Sequence, residues 1–277
     1  MPAPALLLLD DPTAVLDPAT PLLRADDLGV VRGEAVFETL RVAGGRPAFL
    51  DLHLARMQRS AGRVGIALPG GWTELALAAA ATQDDGFLRL TCTKGAPDAG
   101  PVGFAVAGPI SDEIVRGREH GVRVVTLTLG VDAGARVQAP WLLGGVKSTS
   151  YASNMATQRA AVERGAQDAI WVSGDGEVLE APTATVAWVR AGRVVTPPAD
   201  EVGTLPGTTA EAALAHSPLP VDIRRASASE LAEADEVMLL SSVRGVAPVV
   251  ELDGRRLDVG PVTVHLRAAF EQAVRHA

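Results

Sequence analysis

The chain has 277 residues, 47% of them hydrophobic and 21% charged, with a net charge of −8 and one cysteine, Cys92. That length and apolar content suit one large domain or two smaller ones, and exclude a disordered or fibrous chain. The negative balance argues against nucleic acid and anionic membranes as main partners, and the lone cysteine excludes an internal disulfide framework and fits a reducing compartment.

Leu6-Leu7-Leu8-Leu9 is too short to span a bilayer, lacks a basic flank and runs into Asp10-Asp11. It reads as a strand or short core segment of a soluble cytoplasmic protein, not as a signal peptide. Val36 to Val42 alternates apolar and polar residues, and Gly44-Gly45 turns the chain into Pro47-Ala48-Phe49-Leu50, which predicts a hairpin. Leu50, Leu54, Met57, Ala61 and Val64 then recur at helical spacing, with Arg56, Arg59 and Arg63 as a row on the flank. Pro69-Gly70-Gly71 closes that region. A second helix is predicted over 75–81, and strands over 87–93 and 102–107.

The polar stretch from Gly108 to Gly121 marks a change of composition, and the domain boundary is placed there. Beyond it come a strand over 122–129, a small-residue loop over 130–140, and a helix over 152–163 stopped at Gly165. Further strands are predicted at 169–173, 185–189, 194–196 and 237–240. Gly174-Asp175-Gly176 is a tight turn, and Val178-Leu179-Glu180 is its return. A helix begins near Ala210-Glu211, Ser227 and Glu230 form a capping box for another, and the segment 262–274 is helical.

The chain has only two lysines, Lys94 and Lys147, and one tyrosine, Tyr151. Lys147 follows the apolar, small-residue run Trp141-Leu142-Leu143-Gly144-Gly145-Val146 and precedes a helix. An interior amine delivered this way is a nucleophile or base, because desolvation lowers its pKa; the other reading is a solvated lysine with its stem on an apolar surface. Thr208 and Thr209 sit where a glycine turn meets a helix start, which makes either an anion cradle or an ordinary N-cap. Ser241-Ser242 before Arg244-Gly245 is a second such place or a polar turn. Arg56 can take a phosphate bidentately or lie on a helix surface. Glu180 ends an apolar strand and either pairs with a protonated heterocyclic nitrogen or is a surface hairpin carboxylate. No Walker or dinucleotide-binding glycine motif occurs, and no residues are assigned to a metal.

Seven motifs occur in one order across roughly residues 25 to 250. They are Phe37-Glu38-Thr39-Leu40-Arg41, His53-Leu54-Ala55-Arg56, Lys147 with Tyr151, Glu180 after its glycine turn, Thr196-Pro197, Leu205-Pro206-Gly207-Thr208-Thr209, and Ser241-Ser242. Together they resemble the class IV aminotransferases, the fold type IV pyridoxal phosphate enzymes. That family includes branched-chain and D-amino acid aminotransferases, (R)-amine transaminases and aminodeoxychorismate lyases.

The resemblance implies a smaller N-terminal α+β domain, residues 1–115, and a larger C-terminal α/β barrel-like domain, residues 116–277, with pyridoxal 5′-phosphate between them and a homodimer as the assembly. It implies that Lys147 forms the Schiff base and shuttles a proton. Glu180 then pairs with the pyridinium nitrogen, Tyr151 approaches the phenolic oxygen and Leu205 packs on the ring. Arg56, Gly207, Thr208, Thr209, Ser241 and Ser242 hold the phosphate end, and Phe37 and Thr39 border the substrate. Two departures bear on substrate. Thr185 stands where many members have Asn, and the stretch after Thr93-Lys94-Gly95, Ala96 to Gly100, lacks the Arg-x-His pair of typical D-amino acid aminotransferases. The expected activity is transamination of small amino acids, those of the D-series included, or of (R)-amines, with a keto acid as acceptor. The alternatives are aminodeoxychorismate lyase, releasing 4-aminobenzoate and pyruvate, and a catalytically silent scaffold.

Overall fold

A computed structural model of the chain describes residues 3–276. The residues group into two compact units: 3–111 with 146–151 and 274–276, and 112–145 with 152–273. The expected cut after residue 115 differs from this grouping in one respect that matters for chemistry. The segment Val146–Tyr151 belongs with the first unit, although it lies well inside the C-terminal half of the sequence.

The first unit contains β1 (Ala5–Leu8), α1 (Leu28–Val31), β2 (Ala35–Ala43), β3 (Arg46–Pro47), α2 (Leu50–Val64), α3 (Trp72–Ala80), β4 (Asp85–Thr93) and β5 (Val102–Gly108). Its sheet is antiparallel, in the order β1-β5-β4-β2-β3. Alternation along the strands decides which face is which. Val36, Leu40 and Val42 of β2, Leu88, Leu90 and Cys92 of β4, and Ala105 and Ala107 of β5 pack with Met57 and Ala61 of α2 and Leu75, Ala76 and Ala79 of α3. The opposite phase, Phe37, Thr39 and Arg41 with Phe87, Arg89 and Thr91, therefore lies on the face these two helices do not cover. The hairpin strand after Gly44-Gly45 is only two residues long, because Phe49 adopts a left-handed conformation and starts α2 at once. Gly65, also left-handed, ends α2, four residues earlier than Pro69-Gly70-Gly71 suggested.

The second unit contains α4 (Asp112–His120), β6 (Val122–Thr128), α5 (Ala135–Gln138), α6 (Ala152–Glu163), β7 (Asp168–Val172), β8 (Thr185–Arg190), β9 (Arg193–Thr196), α7 (Ala199–Val202), α8 (Thr208–Leu214), β10 (Val221–Ile223), α9 (Ala228–Ala232), β11 (Glu236–Ser241), β12 (Gly245–Leu252), β13 (Arg255–Arg256) and α10 (Pro261–His276), whose last three residues group with the first unit. Its eight-stranded sheet runs β10-β9-β8-β11-β12-β6-β7, with β13 added on β12. The pairs β10–β9, β12–β6 and β6–β7 are parallel, and the rest are antiparallel. A core of Val124, Ile170, Val186, Trp188, Val237 and Leu239 lies beneath it. Ser227 caps α9 by accepting from the Glu230 amide at 3.2 Å. Glu236 does the same across the fold for α10, accepting from the Val262 and Thr263 amides at 3.2 and 2.7 Å. Among the described residues no helix is long and apolar enough to cross a membrane.

Two strand-core positions and one helix position separate burial from mere hydrophobicity. Leu40→Ala and Leu88→Ala, both in the first core and fully buried, are expected to cost about 2–5 kcal/mol each in denaturant unfolding. Leu77→Ala, at a position 47% exposed, is expected to change stability by no more than about 0.5 kcal/mol.

Candidate active site

In the first unit, the segment carrying Lys147 is held as a short extra strand on the free part of the β2 edge. Phe37 N donates to Lys147 O at 3.0 Å and Thr149 N donates to Ala35 O at 2.9 Å, around an antiparallel bridge between Val36 and Ser148. The Lys147 amide is in turn fixed by Ser60 Oγ of α2 at 3.1 Å. This register sets residue 147 opposite residue 37, on the helix-free face. A slip of one residue would send the amine to the other side. The small-residue run before it has a steric cause. A Cβ on Gly144 would press on Arg136 Cβ and Gly203 O, and Gly145 has a left-handed φ of 74°.

Lys147 Nζ lies 3.4 Å from the Tyr151 hydroxyl and 4.6 Å from the Phe37 ring centroid, and the Phe37 and Tyr151 rings meet edge to face at 5.1 Å. The amine is half-buried, not enclosed as the apolar run suggested. Lys147, Tyr151 and Phe37 are thus brought together, and Thr39 follows Phe37 on the same face of β2.

Arg56 is placed differently from the flank position its spacing predicted. It is 3% exposed, and its Nε and Nη2 donate to the two oxygens of Glu38 at 2.8 and 2.6 Å. His53, one turn earlier on α2, meets Glu38 Oε2 through Nδ1 at 2.7 Å. Burial disfavours the Glu38 carboxylate, but the Arg56 guanidinium and His53 outweigh it and hold the group down at about 2. Burial, then the nearby Arg56 and Lys147 charges, push His53 below its ordinary value, against the pull of Glu38. A neutral His53 must then carry its proton on Nδ1, donating to Glu38. Glu38 and His53 were seen in the sequence only as motif letters. The available signal was phase: Glu38 stands in the buried register of β2 with Val36 and Leu40.

In the second unit, Glu180 and Leu205 meet directly: the Leu205 amide donates to Glu180 Oε2 at 3.0 Å, and Arg136 forms an ion pair with Oε1 at 3.4 Å. Thr208 and Thr209 are buried in the first turn of α8. Gly207, just before them, approaches so closely that any Cβ there would collide with Thr185 Oγ1. Thr185 is opposite Leu240 in the β8–β11 register, α8 packs on β11 and β12, and Ser241-Ser242 continue from Leu240. Glu180, Leu205, Gly207, Thr208 and Thr209 thus lie along the end of β8 and β11 that carries the two serines. The two sets suit a pyridoxal phosphate in kind. One supplies an amine beside a phenol, and the other a carboxylate already oriented by an amide and a cation, with a glycine where a side chain would intrude.

Comparison with known proteins agrees with this chemistry. Residues 35–252 match the family model for amino-transferase class IV. The chain is 36% identical over 266 residues to a protein of Mycobacterium tuberculosis named bifunctional aminodeoxychorismate lyase / D-amino acid transaminase, covering 90% of this chain and 92% of that one. Among solved structures, a fold IV-transaminase from Curtobacterium pusillum superposes with a TM-score of 0.89 at 37% identity, covering 96% of this chain and 98% of that one. A hypothetical aminotransferase of Mycobacterium tuberculosis in its PLP-bound form does so at 0.92 and 33%, covering 98% of each.

The buried triad has a pH signature. His53 is depressed in the folded state, so its contribution is complete above its unfolded pKa near 6.5 and is lost as pH falls below that; Glu38 adds a second loss as pH falls from its unfolded range towards about 2. Thermal melts from pH 7 to 5 are expected to fall more steeply for the wild type than for His53→Asn, whose amide can still donate to Glu38 but does not titrate. Arg56→Met, which strands the buried Glu38 charge, is expected to cost about 3–5 kcal/mol in denaturant unfolding. The chain belongs to the class IV aminotransferase family.

Proposed function

We propose that this chain is a transaminase moving an amino group from small amino acids, D-amino acids foremost, or from (R)-amines to a keto acid, as a cytoplasmic homodimer. As a member of its family it is a pyridoxal phosphate-dependent enzyme. The observation that carries the reading is the half-buried Lys147 amine, 3.4 Å from a phenol and pinned by backbone pairing to β2. The D-series preference is supported by the name of the Mycobacterium tuberculosis relative, which couples D-amino acid transaminase with aminodeoxychorismate lyase.

Bound pyridoxal phosphate supplies an electrophilic carbon and a ring that withdraws electrons from a substrate Cα. In this reading Lys147 would hold the cofactor covalently through Nζ, and the same amine would take up the proton that leaves the substrate Cα and hand it back to the cofactor. Tyr151 sets the direction of Nζ and donates to the phenolic oxygen. Glu180, itself oriented by the Leu205 amide and Arg136, keeps the ring nitrogen protonated, while Leu205 packs on the ring. Gly207, Thr208, Thr209, Ser241 and Ser242 take the phosphate with Arg56, which enters as an oriented charge because two of its nitrogens are turned to Glu38. Phe37 and Thr39 border the substrate.

The lyase is the second reading, favoured by the same relative's name. Acceptor dependence separates the two. With a donor alone, a transaminase stops after one half-reaction and restarts on adding a keto acid. Pyruvate accumulating catalytically from aminodeoxychorismate, with no acceptor, would instead establish the lyase. Lys147→Ala is expected to lower turnover by about 100-fold or more and to remove the covalent cofactor absorption band. Lys94→Ala is expected to retain both, since Lys94 is engaged with Glu34.

A further inference from the structure

In the second unit, the turn that carries Ser242 joins β11 to β12. Ser241 pairs with Gly245, so Ser242, Val243 and Arg244 lie beyond the ladder, and the left-handed φ of 74° at Gly245 closes the hairpin. A hairpin needs no more than that, yet a larger set of groups converges on this turn. Arg118 of α4 donates from Nη2 to Val243 O at 2.6 Å and from Nε to Arg244 O at 3.2 Å. The Arg244 side chain donates from Nη1 at 2.8 Å to Oδ2 of Asp168, a fully buried carboxylate at the start of β7. Arg118 is itself anchored to α10, where Glu271 lies 3.9 Å from its Nε and Arg267 donates to its carbonyl at 3.2 Å.

A buried ion pair adds little net stability, since desolvation offsets its attraction, but it admits few geometries. A guanidinium that donates to two successive carbonyls fixes the rotation of both peptide planes. These contacts therefore hold the conformation of residues 242–244 and not the core beneath them. In the reading given above, the chemistry of this turn is that of Ser241 and Ser242 toward the cofactor phosphate. We propose that Arg118, Arg244 and Asp168 are positioning residues for that phosphate site, which set the serine turn in its binding conformation before the dianion arrives. The inference rests on the pyridoxal phosphate reading of Ser241 and Ser242. Arg244, neutralised by Asp168, serves as a strut for the turn and not as a phosphate ligand.

The test removes the cofactor from full-length wild type, Arg118→Gln and Arg118→Lys. Absorbance titration then gives the dissociation constants of pyridoxal phosphate and of pyridoxal, which has the aldehyde but no phosphate. The ratio of the two constants reads the phosphate site alone, because a general loss of structure weakens both aldehydes together. The preference for the phosphorylated form is expected to fall by about 10-fold in Arg118→Gln, the scale of one hydrogen bond to a charged group. It should fall by less in Arg118→Lys, which keeps a donor for one carbonyl. A preference equal to wild type in Arg118→Gln overturns the proposal and leaves the serine assignment standing. A wild type that holds pyridoxal as tightly as pyridoxal phosphate removes that assignment, and the proposal with it. Should Arg118→Gln show no cooperative melt, Arg118→Lys decides: a reduced preference supports the proposal and an unchanged one overturns it.

Discussion

The pairing of three residues, 147 to 149, with the exposed edge of β2 is the constraint from which the chemistry of the first unit follows. Two backbone hydrogen bonds and the Ser60 hydroxyl remove the freedom a loop lysine would have. Because the pairing is antiparallel with 37 opposite 147, the amine, Phe37, Thr39 and Arg89 all share the face not covered by α2 and α3. The reactive group is thus set by strand register, a discrete quantity, and not by the loop that follows the sheet. This suits a residue that must form a bond at one defined position.

The helix-covered side of the same strand supports this arrangement. Glu38 is a fully buried charge directly after Phe37, tolerated only because Arg56 and His53 give it three donors. A bidentate pair fixes the rotation of α2 against β2 more tightly than apolar packing alone, and α2 also carries Ser60. The same side chains that neutralise Glu38 therefore position the anchor of Lys147. In the second unit, Glu180 is held between an amide and an arginine, which fixes a carboxylate without enclosing it.

Much of this was legible in the sequence, through periodicity. The alternation of 36–42 and the stripe from Leu50 to Val64 give β2 and α2 nearly to the residue, as do Ala152 to Glu163 for α6 and Ser227 with Glu230 for the start of α9. What escaped had physical reasons. β12 is the longest strand of the second unit, but Pro248 interrupts its apolar run, and proline usually marks an edge. α4 lies hidden in the polar stretch where the domain boundary is placed, because only Gly117 of its residues is buried. For the site, the motif residues stood out as a set. Arg56 seemed a flank residue since helical spacing cannot show that a strand two turns away offers a buried carboxylate.

The claim on which everything else depends is that residue 147 is the amine joined to the cofactor. Borohydride reduction of the holoenzyme, followed by proteolysis and mass mapping, tests it directly. The account requires the pyridoxyl group on the peptide containing Lys147 and none on that containing Lys94; a label on Lys94, or on neither lysine, would contradict it.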